Sequence, residues 1–336
     1  MMQYYSNAVE MLEWTLEMDL KKDIENIVLS QMQRMGISPS GKKDIVYEYF
    51  NLQKKLITMR PRAIKKSKEF NCPAGYKEKL ESLERDILQG NDLNKYQGKG
   101  AFVPDFSDGL LNDWNIVHFH LENRVDPKDH RFVARSDYLL FAWVSETAVY
   151  FIRIYRHKEG FSQQELVKII SQNWPELLRG HVWEGRLTKQ INDEEYSKLR
   201  KHGVSTFVQI NDHEICIMLG GGYSSDGSST EAVRKSMEVE NLLLACIQII
   251  LNRMWIIIRD IRIVTGKFEN NMSIKVLNLI LGAENRITLV EESNQVIIQL
   301  VFQEPHGILR VLNPRSCKIS VKNGWMPIEV KRIICL

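Results

Sequence analysis

Two histidines separated by one residue, His118 and His120, are the side chains of this sequence best placed to do chemistry. In an extended strand, residues two apart lie on the same face, so both imidazoles project away from the apolar Val117, Phe119 and Leu121. Histidine exchanges protons near neutral pH because its unperturbed pKa is about 6.5. The pair therefore indicates general acid–base catalysis.

A third histidine, His157, ends a hydrophobic strand segment in which Arg153 and Tyr155 occupy the same face. Imidazole, guanidinium and phenol groups together can move protons and stabilise the extra negative charge of a phosphorane-like transition state. Four of the eight histidines of the chain fall between residues 118 and 157, which concentrates this chemistry in one segment. We predict that His157, Arg153 and Tyr155 join His118 and His120 as catalytic residues.

Residues 131–161, RFVARSDYLLFAWVSETAVYFIRIYRHKEGF, resemble the C-terminal hairpin of RelE/YoeB/ParE-type toxins. That family shows an arginine-bearing strand, a hydrophobic run opened by Asp-Tyr, a short acidic turn, and a second strand with a basic or histidine-containing end. The resemblance implies metal-independent ribonuclease chemistry, in which a ribose 2′-oxygen attacks the adjacent phosphate. It also implies that Arg135 binds phosphate or the transition state and that His157 and Tyr155 lie near the catalytic end. Leu139 stands where many members carry a second arginine.

A longer stretch, residues 106–145, is similar to an uncharacterised bacterial family. The similarity is carried by FSDGLLNDWNIVHFHL followed by RSDYLLFAWV. This similarity implies no particular activity.

A metal site is the competing interpretation of the same histidines. Two histidines spaced as in His118 and His120 can ligate one ion, and His157 or an acid such as Asp113 would complete the ligand set. The sequence has no second pair of this kind, no HExxH and no paired thiolates. We therefore expect no metal and no other cofactor, and a metal-dependent hydrolase remains an alternative.

A basic run lies between Glu48 and Glu69, with no acidic residue inside it. Its members are Lys54, Lys55, Arg60, Arg62, Lys65, Lys66 and Lys68. Such a run can follow a phosphate backbone, with binding that weakens steeply as salt displaces the released counterions. We predict that it binds nucleic acid, RNA in preference to DNA. A solvated surface, or a contact with an acidic protein partner, is the alternative.

A glycine-rich segment, residues 220–227, follows a strand and precedes a helix. Glycines let backbone N–H groups approach a phosphate at a helix N-terminus. However, no Lys-Ser or Lys-Thr follows as in a P-loop, and the GxGxxG order is absent. We interpret it as a flexible connector, with Ser228, Ser229 or Thr230 as the N-cap of the next helix.

The elements that position these residues follow from hydrophobic periodicity. Apolar residues recur at three- and four-residue steps in the first hundred residues, and from residue 114 the period changes to two. Helices are predicted over 11–28, 43–55, 76–88 and 162–174, the last opened by a Ser162/Glu165 capping box, and from 230. Strands are predicted over 114–121, 131–135, 138–144, 149–156, 206–210, 214–219, 287–290 and 296–302. Residues 97–108 are predicted to be a linker.

The predicted fold class is α+β, in three parts. These are a helical region over 1–100, a small antiparallel sheet with a following helix over 106–180, and a C-terminal α/β region over 181–336. The middle part is the candidate catalytic unit.

Composition sets the class of protein. The chain has 336 residues and a net charge of +3, with 44% hydrophobic and 26% charged residues, which excludes collagen-like and wholly disordered proteins. Five scattered cysteines without a CxxC pair indicate a reducing environment. The apolar run 242–258 contains Gln248, Asn252 and Arg253, so a buried helix is a better interpretation than a membrane span.

We therefore predict a cytoplasmic protein without a membrane partner, most concretely a toxin-like, metal-independent endoribonuclease. A non-enzymatic nucleic-acid-binding or assembly subunit is the main alternative. A protein partner or a second copy of the chain is compatible with either.

Overall fold

The computed structural model describes residues 14–16, 18–157 and 159–252, the positions 259, 262, 263 and 266, and strands between residues 272 and 335. It has the predicted α+β composition. The chain divides into two compact units, one formed by residues 32–236 and the other by residues 1–31 with 237–336. The boundaries predicted near residues 100 and 180 both fall inside the first unit.

The helices of the described residues differ widely in length. In chain order they are α1 (Leu20–Arg34), α2 (Ile45–Lys55), α3 (Lys77–Gln89), α4 (Gly109–Trp114), α5 (Glu165–Asn173), α6 (Asp193–Lys201) and α7 (Thr230–Asn252).

Within the described residues, the strands form four sheets. In chain order they are β1 (Trp14–Leu16), β2 (Ala63–Lys66), β3 (Val117–His120), β4 (Tyr138–Val144), β5 (Ala148–Arg156), β6 (Val182–Glu184), β7 (Val208–Gln209), β8 (Glu214–Cys216), β9 (Met272–Ile274), β10 (Leu277–Leu281), β11 (Arg286–Glu291), β12 (Val296–Val301), β13 (Ser316–Asn323), β14 (Met326–Ile328) and β15 (Ile334–Cys335).

A four-stranded sheet with the order β2-β5-β4-β3 forms the centre of the 32–236 unit. Strand β2 pairs with β5 in parallel, and the remaining pairs are antiparallel. Apolar side chains point to both faces of the sheet in alternation, and both faces are buried, as expected for a sheet covered on each side. One face packs against α3 through Leu80 and Leu83, and the other belongs to the cluster that contains Leu166 and Ile170 of α5.

A β-bulge changes which residues of β5 share a face. Phe141 pairs with Arg153, whereas the next residue of β4, Ala142, pairs with Phe151, so Ile152 is an extra residue. As a result, Ile152 packs on the α5 side, but Ile154 packs on the α3 side. A strict alternation along β5 would place these two side chains on one face, but the bulge resets the alternation between them.

Four other local predictions differ from the structure. Residues 131–135 are not a strand, because turn hydrogen bonds such as Asp126 N–H to the Phe132 carbonyl (2.8 Å) fold the segment on itself. Trp114 ends helix α4 instead of opening a strand. The Ser162/Glu165 capping box is absent, because α5 begins at Glu165 after a 3-10 turn, Gly160–Ser162. Residues 97–108 are packed and contain a 3-10 helix, Lys99–Phe102.

The second unit contains an antiparallel sheet with the order β10-β11-β12-β13-β14. The pairing of β11 with β12 confirms the predicted strands near the C-terminus, while the predicted turn at Ser293 and Asn294 lies outside the described residues. Strand β1 pairs in parallel with the distant β9, so residues 14–16 are not helical as predicted. Residues 253–258 of the predicted apolar run lie outside the described residues. In the described part of the chain, no helix has the length and apolarity needed to cross a membrane.

Candidate functional site

A cavity of about 830 Å³ lies beside strand β3, and the three predicted histidines His118, His120 and His157 line it together with Arg135. Its volume falls within the roughly 300–1,000 Å³ that ligand-binding pockets occupy. All lining residues lie between Gln97 and Gly227, within the 32–236 unit. Four residues chosen from the sequence therefore converge on one concave site.

The sheet register explains this convergence. His118 lies opposite Phe141 and His120 lies opposite Leu139 on the neighbouring strand, so both imidazoles occupy the same face. The ring centroids of His118 and His120 are 6.2 Å apart. His157 follows the end of β5, where its backbone N–H donates to the Asp137 carbonyl at 2.8 Å and keeps it beside the sheet. Its ring centroid is 5.6 Å from that of His120.

His120 is buried, with 5% of its surface exposed, and is held in one orientation. The backbone N–H of Ser136 donates to its Nδ1 at 3.3 Å, so that nitrogen carries a lone pair and the proton of the neutral ring is on Nε2. Burial lowers the pKa of His120 to about 3, and the neighbouring His118, His157 and Arg135 lower it further. His120 is therefore a neutral N–H donor at neutral pH.

His118 is also held neutral. Burial lowers its pKa, the carboxylate of Asp108 acts in the opposite direction, and His157 lowers it again. Its Nε2 faces the loop at Gly98: a Cβ atom on this glycine would lie 3.5 Å from His118 Nε2. An unprotonated imidazole in a cavity is a proton acceptor, so His118 has the state that a general base requires.

Phe161 packs against His118 and His157 and spaces them apart. Its ring centroid is 5.0 Å from His118 and 6.0 Å from His157. The preceding Gly160 makes this position possible, because a Cβ there would meet the Phe141 ring at 2.3 Å. The 3-10 turn after β5 therefore touches the sheet directly and aims Phe161 into the cavity.

Arg135 supplies positive charge at the cavity. Its side chain is exposed, and within the described part of the chain it makes no hydrogen bond or ion pair. Lys99 and Lys201 also line the cavity, and Lys99 is paired with Asp126 at 2.8 Å. A guanidinium without a protein partner can bind a phosphate in a bidentate manner.

Arg153 and Tyr155 are not among the residues that line the cavity, in contrast to the prediction. Both side chains bind Glu165 at the start of α5, Arg153 Nη1 at 2.5 Å and Tyr155 Oη at 2.6 Å. Burial raises the pKa of the Tyr155 phenol, and the hydrogen bond to Glu165 raises it further. The structure gives these two residues a role in joining β5 to α5.

Three members of the basic run are buried, which the sequence did not indicate. Lys54 donates to the Gly220 carbonyl at 2.5 Å, and its side chain is 5% exposed. Lys55 donates to the carbonyls of Gly100, Val103 and Phe106, and Arg62 donates to those of Ser145, Thr58 and Arg60. Buried cations are retained where they satisfy backbone carbonyls, so these three residues stabilise loops and do not form a nucleic-acid surface.

The other four members of the run are exposed but do not lie at the cavity. Arg60 pairs with Glu146 at 3.4 Å and Lys66 pairs with Glu84 at 2.7 Å. Lys65 lies over the Tyr150 ring, and the Lys68 backbone donates to Asn173. A nucleic-acid contact through this run would therefore be limited to these four residues.

The glycine-rich segment is packed and is not a free anion-binding loop. The N–H groups of Gly220, Gly221 and Gly222 donate to the carbonyls of Asp113, Met218 and Asn112. Since these donors are occupied, they are not directed at a ligand. The expected flexible connector is instead a fixed turn on the end of α4.

Asp113, which with His157 was an alternative for completing a metal site, is fully buried and paired with Arg200 at 3.1 Å. Burial raises the pKa of its carboxyl and Arg200 opposes the change. Arg200 also stacks 4.0 Å from the Trp114 ring centroid and lines the cavity, whereas Asp113 does not line it. Among the described residues, no group of three histidine, cysteine, aspartate or glutamate side chains is placed to hold a metal ion.

One loop that lines the cavity was not predicted from the sequence. Gln97–Gly100 and Phe106–Leu110 line it, as do Phe161, Arg200 and Lys201. The glycines and aspartates of 97–108 indicated a linker, because the local sequence of a linker does not differ from that of a loop that lines a cavity. The one sequence signal for structure here was Asp108, which precedes the apolar pair Leu110 and Leu111 as a helix N-cap does. In the structure its carboxylate caps α4 by accepting from the backbone N–H groups of Leu110 and Leu111.

Comparisons with protein-family models, with curated proteins and with solved structures find no match to this chain. Its function must therefore be argued from the geometry of this cavity.

Proposed function

We propose that this protein is a metal-independent endoribonuclease and that the histidine cavity is its active site. The observation that supports the proposal best is the convergence of His118, His120, His157 and Arg135 on one cavity of nucleotide-accommodating size. Acid–base groups and a free guanidinium are the groups that phosphodiester transfer from a ribose 2′-oxygen requires.

His118 is the general base of the proposed reaction. It removes the proton of the ribose 2′-hydroxyl, the 2′-oxygen forms a bond to phosphorus, and the bond from phosphorus to the 5′-oxygen breaks. His157, on the other side of Phe161, gives a proton to the departing 5′-oxygen. The products are a 2′,3′-cyclic phosphate and a 5′-hydroxyl.

His120 and Arg135 stabilise the transition state in this proposal. The Nε2–H of His120 is fixed by the Ser136 contact at Nδ1 and donates to a non-bridging phosphate oxygen. The exposed Arg135 guanidinium binds the second non-bridging oxygen. Donors fixed before the reaction contribute more than donors that must reorient.

The test is incubation of the purified chain with single-stranded RNA in the presence and absence of EDTA. We expect cleavage that survives EDTA, produces cyclic phosphate ends and fails on an oligonucleotide with a 2′-deoxyribose at the scissile position. Loss of a general acid or base typically costs about 10²–10⁴-fold in rate, so His118→Ala and His157→Ala should fall in that range. His130→Ala, an exposed histidine outside the cavity, is the matched control and should retain the wild-type rate.

Two results would contradict the proposal in different ways. Cleavage that is lost in EDTA and restored by a divalent cation would favour the metal-dependent hydrolase. RNA binding without any cleavage would favour the non-enzymatic subunit.

A further inference from the structure

An exposed aromatic ring, Phe106, lies at the same cavity, and the proposed chemistry makes no use of it. Phe106 lines the cavity and is 45% exposed, whereas most aromatic residues of the 32–236 unit are buried or half-buried. Exposure of a large apolar side chain inside a concave site with positive charge indicates a contact with a ligand that is both flat and anionic.

The segment that carries Phe106 is held rigidly. Asn51 Nδ2 donates to the carbonyls of Pro104 (2.7 Å) and Phe106 (3.0 Å). The buried Lys55 also donates to the Phe106 carbonyl at 3.0 Å, and its Nζ lies 5.6 Å from the ring centroid. A ring held in place before binding loses little conformational entropy when a ligand stacks on it.

A glycine segment places this ring close to the catalytic histidine. A Cβ on Gly98 would lie 3.5 Å from His118 Nε2, and a Cβ on Gly100 would lie 2.7 Å from Phe106 Cε1. Two residues of chain span at most about 7 Å, so His118 and Phe106 lie against neighbouring points of one short segment. The distance is short enough for one nucleotide to contact both side chains.

We infer that Phe106 is a stacking platform for the nucleobase next to the scissile phosphate, and that the substrate is single-stranded RNA. The inference rests on the proposed function and adds the substrate class to it. Aromatic side chains stack on any base because every base has a π-face, and an unpaired base can leave its own stack to reach the ring. A base in a duplex is held between its neighbours and cannot make this contact without unpairing.

The experiment measures binding of a short single-stranded 2′-O-methyl oligoribonucleotide that carries one 2-aminopurine, a fluorescent base. The methyl group removes the nucleophile, so binding is measured without cleavage. Full-length wild-type protein is compared with Phe106→Ala, Phe106→Trp and Val103→Ala. Val103 is the matched control, because it is 43% exposed in the same loop and does not line the cavity.

We expect Phe106→Ala to weaken binding between about 5-fold and 150-fold, the range that corresponds to one base–aromatic stack. Phe106→Trp should restore affinity and quench 2-aminopurine, and Val103→Ala should leave affinity unchanged. An oligonucleotide abasic at the 2-aminopurine position should bind wild-type and Phe106→Ala protein equally. A duplex of the same sequence should bind more weakly than the single strand.

The platform is overturned if wild-type protein cleaves RNA but Phe106→Ala binds and cleaves as well as the wild type. In that case the proposed endoribonuclease activity stands without it. Absence of both cleavage and oligonucleotide binding by wild-type protein would overturn the proposed function together with the platform.

Discussion

Replacement of His120 by asparagine should change how the stability of this protein depends on pH. His120 is 5% exposed, and its pKa is lowered to about 3 by burial first and then by the neighbouring His118, His157 and Arg135. In the unfolded chain its pKa returns to about 6.5, so between these two pKa values the unfolded state binds a proton that the folded state does not bind. Stability is therefore lost as pH falls from about 6.5 towards 3. The asparagine Oδ1 takes the place of Nδ1 and can still accept from the Ser136 N–H.

The magnitude follows from the two pKa values. At pH 5 the unfolded histidine is about 97% protonated and the folded one is almost entirely neutral, which corresponds to about 2 kcal/mol. At pH 7 the same difference is only about 0.2 kcal/mol. His120 should therefore cost the wild-type protein about 2 kcal/mol between pH 7 and pH 5, and the asparagine variant should lack this component.

Urea unfolding at the two pH values measures the effect directly, because a change in midpoint at constant slope reports a change in stability. Titrating groups that do not interact with His120 are shared by both proteins and cancel in the comparison. His130→Asn, at an exposed turn, provides the control and should follow the wild type. Equal losses of stability in wild-type and His120→Asn protein would refute the assignment of His120 as a buried neutral imidazole.

Three further predictions concern residues around the cavity. Lys55→Met should lower the melting temperature in a thermal scan, because each carbonyl left without its buried donor costs about 1–3 kcal/mol; an unchanged melting temperature would show that these bonds are dispensable. Gly160→Ala should destabilise the fold in urea by about 1–3 kcal/mol, and the added Phe141→Leu should recover part of that loss; no recovery would exclude the Phe141 clash as its cause. Tyr155→Phe should leave the rate of RNA cleavage within about threefold of wild type, because Glu165 occupies the hydroxyl; a loss of 100-fold or more would return Tyr155 to the catalytic set.

The central hairpin could be predicted from the sequence because its information is local. Alternation with period two gives β3, β4 and β5 within a few residues, and it places His118 and His120 on one face. The same alternation failed where the Ile152 bulge inserted one residue. Helix α3 could also be predicted locally, because glycine commonly ends a helix. In the structure Gly90 ends α3 in the left-handed conformation, with φ of 75°.

The amino-acid sequence by itself was enough to predict the α+β class, the antiparallel β4–β5 hairpin, and three histidines and Arg135 as candidate site residues. Only the tertiary structure decided which charged residues are available to a ligand. Lys54, Lys55 and Arg62 stand beside exposed lysines in the sequence, yet they are buried because distant loops cover them and offer carbonyls. Burial and pairing depend on contacts between residues far apart in the chain, and such contacts leave no period in the sequence. For the same reason, the loop that carries Phe106 became a cavity wall only in the folded protein.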